Sequence, residues 1–173
     1  MKPFKLILCL LLIVVLGSCA SDDENSIGLG YSDIYNLPEI PYNYSNPNFP
    51  DTFTPYVFGF DNTPSNNIIT DHGVTLGRVL FYDKKLSADN TISCASCHKQ
   101  EFGFSDNTPK SIGVSGEHTF RNSMGFANAG FYAAENFSWD HKAPTLEAQV
   151  LLPVTDEIEM GITLENLVEK LSD

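Results

Sequence analysis

Cys94-Ala95-Ser96-Cys97-His98 constrains this chain more than any other stretch: two cysteines flank two small residues, and a histidine follows at once. Covalent attachment of haem c requires this pattern. Two thioether bonds tie the edge of the macrocycle to one short turn, and the adjacent imidazole is held under the ring as the proximal iron ligand. A Cys-x-x-Cys pair also occurs in zinc sites and in thioredoxin-type redox motifs. A zinc site needs further ligands at short range, and the sequence holds no second cysteine pair. A thioredoxin motif should follow a strand, whereas Asp89-Asn90-Thr91 reads as a turn. Cys94, Cys97 and His98 therefore predict a fold wrapped around one haem c.

The N-terminus reads as an address. Lys2 and Lys5 precede the unbroken apolar run Leu6 to Leu16, too short to span a bilayer, and residues 1–18 are expected to be a signal peptide. Leu16-Gly17-Ser18-Cys19 resembles a bacterial lipoprotein box, which makes Cys19 the lipid attachment site and the membrane a partner through that anchor. The four cysteines are then accounted for: Cys9 in the leader, Cys19 on lipid, Cys94 and Cys97 on haem. This places the protein in the cell envelope, periplasmic or on the outer-membrane surface. Asp22-Asp23-Glu24 resembles the acidic signal of surface-exposed Bacteroidetes lipoproteins, and fits a solvated acidic tether equally well. A net charge of −12 excludes a phosphate backbone as ligand, so no nucleic acid is expected; it suits a basic electron-donor protein.

Residues 19–69 carry Pro38, Pro41, Pro47, Pro50, Pro55 and Pro64 among many asparagines, which leaves no room for a long helix or a central strand. They are expected to form a tether followed by an extended segment, with Tyr42 to Phe60 lying along the domain surface. From residue 70 the pattern turns helical. Thr70 or Asp71 caps a helix carrying Val74, Leu76, Val79 and Leu80 and stopping near Asp83; close packing against a neighbour or the haem would account for Gly77. Phe102 and Phe104 are placed to cover a porphyrin edge or pack in the core, and Asn128-Ala129-Gly130 should end any helix begun near Arg121. Thr145 caps a helix through Leu146 and Val150 that Pro153 should end, and Thr163 or Leu164 opens an amphipathic helix through Leu167, Val168 and Leu171. No strand alternation is sustained, so the expected class is all-α with long loops.

Several blocks in order carry a family resemblance: Leu76-Gly77-Arg78-Val79-Leu80-Phe81-Tyr82-Asp83, Leu86-Ser87, Thr91 to His98, Gly103-Phe104-Ser105-Asp106, Arg121-Asn122, Trp139-Asp140, Leu146-Glu147-Ala148-Gln149 and Glu159-Met160-Gly161. Together they resemble the bacterial di-haem cytochrome c peroxidases and their MauG-like relatives. The resemblance runs from about Gly73 to Asp173 and covers half a family member; the second haem motif of the following domain has no counterpart here. It implies that residues 70–173 are a cytochrome c-like peroxidatic haem domain, the first part of a longer protein holding a second haem.

The resemblance also implies roles. Cys94 and Cys97 carry the peroxide-reacting haem, with His98 as proximal iron ligand. Glu159 is the acid/base carboxylate that moves a proton between the two peroxide oxygens. Gln149, ten residues earlier, positions peroxide by hydrogen bonding; Trp139, ten earlier again, relays electrons between the haems. Asn122 is a calcium ligand or a helix cap. A distal iron-ligating histidine belongs near Val114, and His118 is the histidine on that loop: either it reaches the iron or the iron stays open, as in the MauG-like relatives. His141 stands where the family has glycine after Trp-Asp. Met124 and Met160 are read as packing residues rather than axial ligands. The implied activity is reduction of hydrogen peroxide to water with electrons from a small donor such as a cytochrome c or cupredoxin, with a homodimer as a further expected assembly. The alternatives are a mono-haem electron-transfer module and a MauG-like oxidising enzyme.

Overall fold

The computed structural model describes residues 36–134 and 136–172. The expected signal peptide, Cys19 and the acidic run lie outside them. Ile40 to Asp173 forms one compact unit. Its helices are α1 (Pro55–Phe58), α2 (Asp71–Tyr82), α3 (Cys94–Cys97), α4 (Leu146–Thr155) and α5 (Leu164–Ser172), with 3-10 turns at Lys84–Leu86, Gln100–Phe102 and Ala129–Phe131. Among the described residues there is no β-strand, and no helix is long and apolar enough to cross a membrane.

Helix α2 starts where a side chain can satisfy its free N–H groups: Gly73 N–H donates to Thr70 Oγ1 at 3.0 Å. Asp71 in the first turn accepts the amides of Tyr44 and Ser45 at 2.8 and 2.7 Å, which ties the proline-rich segment to the helix. No protein atom stands within 4 Å of a Cβ built on Gly77, so packing against a neighbour does not explain that glycine. Helix α4 is capped in the same way, Ala148 N–H donating to Thr145 Oγ1 at 3.1 Å. Pro153 lies inside α4 instead of ending it. Proline lacks an N–H and crowds the carbonyl four residues back, but the turn closes beyond it: Asp156 N–H bonds the Leu152 carbonyl at 3.1 Å and Thr155 Oγ1 donates to the Leu151 carbonyl at 3.0 Å.

Leu86, Val154, Met160 and Ile162 form the core cluster, with Leu80, Ile92, Cys94 and Leu167 packed against it. Met160 is a packing residue as expected, whereas Met124 is 36% exposed and packs in no core. Only Leu167 of the expected α5 stripe joins the cluster, and Leu164, Val168 and Leu171 are exposed. Lys170 holds α5 to the turn ahead of the haem motif, its Nζ donating to the Ser87 and Ala88 carbonyls and to Asn90 Oδ1.

The rest of the unit is loops closed on themselves. Isolated bridges pair Lys99 with Ser105, Ile112 with His118 and Phe137 with Ala143, each pair six residues apart. Such tight closure requires left-handed backbone at Gly103 (φ 66°), Phe104 (φ 60°), Gly116 (φ 78°), Ser138 (φ 75°) and His141 (φ 52°). The last value gives the physical reason a glycine suits position 141.

Residues 40–69 are more than a surface strap. Phe49, Phe53 and Phe58 pack edge-on or stacked with one another and with Phe131 at centroid separations of 5.0–6.1 Å. Asn62 donates its backbone N–H to the Gly130 carbonyl at 2.8 Å, and its Nδ2 to the Gly130 and Tyr132 carbonyls at 3.1 and 3.0 Å. The expected boundary at 70 thus falls inside the compact unit, because aromatic pairs and the Asn62 amide bind the earlier segment to the 129–132 turn.

Candidate active site

Cys94 and Cys97 lie at the two ends of α3, a single turn, with both thiols free and half-buried. Burial pushes both thiols up from their ordinary range, so they are neutral at pH 7. The Ser93–Ser96 capping box fixes the turn's start, and His98 N–H on the Cys94 carbonyl at 2.9 Å fixes its end. The His98 ring stacks on Phe126 at 4.2 Å, and Phe126 in turn packs edge to face with Phe81 and stacked with Phe104. Its Nδ1–H donates to the Phe104 carbonyl at 2.8 Å, the usual way a metal-binding imidazole is oriented with Nε2 toward the metal. Burial lowers the His98 pKa, against the opposing pull of the Phe104 and Met124 carbonyls.

Phe104 is carried on a loop pinned by a buried carboxylate that sequence reasoning passed over. Asp106 Oδ1 accepts Lys99 Nζ at 2.6 Å, and Asp106 Oδ2 accepts Ser111 Oγ at 2.6 Å. Ser111 Oγ meets Ser123 Oγ at 2.9 Å, and Ser105 Oγ donates to the Ser123 carbonyl at 2.6 Å. Burial alone would raise the Asp106 carboxyl; Lys99, Ser111 and the Asn107 amide together bring it down to about 2. The signal for this network was the Asp of Gly103-Phe104-Ser105-Asp106, but nothing in the sequence says that Lys99 and Ser111 would meet it.

Glu159 sits on a tight turn. The amides of Ile158 and Glu159 donate to Asp156 Oδ1 at 2.9 and 3.1 Å, Gly161 closes the turn at φ 65°, and buried Met160 anchors it. The Ile112–His118 loop packs against this turn, with Val114 N–H on the Glu159 carbonyl at 2.9 Å. Burial, then the Asp156 charge, raise the Glu159 pKa. Burial is the main cause of the raised Cys97 thiol, and the Glu159 charge adds to it. In α4, Gln149 Oε1 is buried with no hydrogen-bond partner.

Trp139 is 55% exposed, and its Nε1–H donates to the Asn122 carbonyl at 2.8 Å. Asp140 pairs with Arg121 at 3.0 Å, so the Arg-Asn and Trp-Asp blocks are one assembly. Asn122 Nδ2 donates to the Thr108 carbonyl at 3.0 Å, while Oδ1 accepts only a long 3.4 Å bond from Ser105. Among the described residues no cluster of three His, Cys, Asp or Glu side chains could hold a metal ion. His118 is exposed, with Nδ1 3.2 Å from the Lys110 carbonyl.

The residues fit a haem c. The two thiols lie one turn apart, the imidazole is already oriented, and Gln149 Oε1 is a buried acceptor awaiting a donor. Large apolar side chains such as Phe102, Phe126, Leu151 and Leu152 stand exposed rather than in the core, available to an apolar ring.

Comparison with known proteins agrees. Residues 71–173 match a family model described as "Di-haem cytochrome c peroxidase". The chain is 35% identical over 108 residues to methylamine utilization protein MauG of Methylorubrum extorquens, covering 62% of this chain and 30% of the relative. It is 37% identical over 102 residues to cytochrome c551 peroxidase of Pseudomonas aeruginosa, covering 59% and 29%. The crystal structure of a MauG-like protein associated with microbial copper homeostasis superposes with a TM-score of 0.63 at 37% identity, over 73% of this chain and 35% of that one. The chain thus spans under a third of the length of these curated relatives.

Proposed function

The chain belongs to the di-haem cytochrome c peroxidase family, and on that premise we propose that it supplies the peroxidatic haem domain of an envelope peroxidase anchored through Cys19. Bound haem c would provide the electron transfers that reduce hydrogen peroxide to water. Cys94 and Cys97 would tether it, and His98 would supply an imidazole ligand to its iron.

Glu159 moves the proton. Its carboxylate takes the proton from the near oxygen of hydrogen peroxide and returns it to the far oxygen, which leaves as water. A carboxyl whose pKa is raised by burial is suited to this, because it neither holds its proton too loosely nor remains solvated. Gln149 Oε1 accepts a hydrogen bond from the peroxide O–H and so fixes its orientation. Trp139, its indole plane set by the Asn122 carbonyl, presents an exposed ring to the second haem domain and passes electrons inward. Asn122 Oδ1 is the atom left for calcium. The acidic surface draws a basic cytochrome c or cupredoxin as donor.

One observation carries this reading: Glu159 is half-buried on a turn held by Asp156 and by Val114 N–H, and the loop that carries Val114 also carries Ser111, which bonds Asp106 beside the haem motif. His118 is exposed, and the bond from its Nδ1 to the Lys110 carbonyl leaves Nε2 free. Val114, beside Glu159, is aliphatic and cannot ligate. The aliphatic side chain at 114 favours an iron open to peroxide. The test is the reaction of the haem-loaded chain with one equivalent of hydrogen peroxide, followed in the haem spectrum. Glu159→Gln should slow it about 100-fold or more, the ordinary range for a lost general acid/base. An unaltered rate, or a low-spin haem unmoved by peroxide, would leave an electron-transfer module instead.

A further inference from the structure

Phe104 is an anomaly that the proposed chemistry leaves unexplained. It is a bulky residue at φ 60°, next to Gly103 at φ 66°, and such backbone persists only where its surroundings over-determine it. Its carbonyl is the acceptor for His98 Nδ1–H at 2.8 Å. The restraint comes from one side chain outward. Lys99 and Ser105 are paired backbone to backbone, Lys99 N–H to the Ser105 carbonyl at 2.9 Å, and Phe104 N–H bonds the Lys99 carbonyl at 2.9 Å. Beyond them Asp106, its side chain 4% exposed, accepts Lys99 Nζ and Ser111 Oγ, each at 2.6 Å. The side chain is covered by these partners, and a charged group screened in this way keeps its place only while they stay bonded to it.

We propose that Asp106 is a positioning residue: through Lys99 and Ser111 it clamps the strained Phe104 carbonyl onto His98 Nδ1, and so sets the orientation and electron donation of the proximal imidazole. A carbonyl held close to Nδ1–H increases imidazolate character on the ring, strengthens donation to iron and stabilises the ferric form. The clamp thus keeps the potential of this haem low, which is what a site that must give electrons to peroxide requires. This rests on the proposed haem attachment at Cys94 and Cys97.

The test uses the haem-loaded chain with Asp106→Asn and, separately, Ser111→Ala, which keeps the charge and removes one bond of the clamp. Two quantities are read: the midpoint potential, and the iron–histidine stretching band of the ferrous form in resonance Raman spectra. Both variants should shift the potential upward and the stretching band to lower frequency, Ser111→Ala by the smaller amount. An Asp106→Asn potential shift with an unmoved band and a silent Ser111→Ala would reduce the effect to loss of a nearby charge and overturn the clamp. If Asp106→Asn does not fold, an unmoved band in Ser111→Ala alone overturns it. A wild-type chain that attaches no haem at Cys94 and Cys97 would sink the haem reading itself, and is told apart by its pyridine haemochrome spectrum.

Discussion

Gly113→Ala tests the contact that holds Glu159 in place. A Cβ at residue 113 would stand 1.9 Å from the Ile158 carbonyl oxygen, 2.6 Å from its carbon and 2.9 Å from Glu159 Cα, where ordinary contact begins at 3.4 Å. These are backbone atoms, so no rotamer can relieve the clash. The 111–118 loop and the Glu159 turn must part by the 1.5 Å difference between 3.4 and 1.9 Å. That breaks the 2.9 Å bond from Val114 N–H to the Glu159 carbonyl and the 3.4 Å bond from Ser115 N–H to the Ile158 carbonyl. Overpacking costs about 1–3 kcal/mol and a lost hydrogen bond about 1 kcal/mol more. The expected loss is therefore about 3 kcal/mol in denaturant unfolding of the haem-loaded protein, with slower reaction toward peroxide as Glu159 moves. Gly116→Ala is the control: its Cβ meets nothing within 4 Å, so only the φ of 78° opposes it, at about 1 kcal/mol. Equal losses in the two variants, or wild-type peroxide reactivity in Gly113→Ala, would refute the argument.

Thr145→Ala removes the cap of α4 and should cost about 1 kcal/mol, visible as a lower unfolding midpoint; an unchanged midpoint would mean that the bond to Ala148 N–H contributes nothing. His141→Gly relieves a left-handed backbone that costs an L-residue about 1–2 kcal/mol, less the entropy of glycine, and should stabilise by about 0.5–1 kcal/mol; a destabilised variant would show that the imidazole makes a contact worth more than the strain. Glu159 binds its proton more tightly folded than unfolded, so its contribution is full below the unfolded value of 4.5 and is lost as pH rises through the higher folded one. Glu159→Gln should therefore flatten the decline of stability with pH above 4.5, read from urea midpoints across that range. Asp106 has the opposite sign: stability present above 3.8 is lost as pH falls toward about 2, and Asp106→Asn should remove that acid limb.

Helices α2 and α4 were legible because Thr70 and Thr145 are side-chain caps followed by apolar residues at helical spacing, both properties of a local window. The end of α4 was not, since Pro153 forbids only its own hydrogen bond and the turn beyond it could still close through Leu151 and Leu152. The haem motif was legible for the same local reason. Its support was not: Asp106 meets Lys99 across a loop of seven residues and Ser111 across five, and no periodicity announces which polar side chains a loop will gather. His141 was visible as a departure from the family pattern, yet its meaning lay in a φ angle that sequence does not print.

The aromatic packing of Phe49, Phe53 and Phe58 on Phe131 bears on where this protein can be cut. The family match begins at residue 71, but a polypeptide started there would strip Phe131 of three ring neighbours and leave Asp71 without the two amides it accepts. Freed apolar surface of that kind promotes self-association. Expression of the haem domain should therefore start at Ile40 or earlier, and a protease that nicks between Pro50 and Asn62 should release not a harmless leader but a sticky remainder.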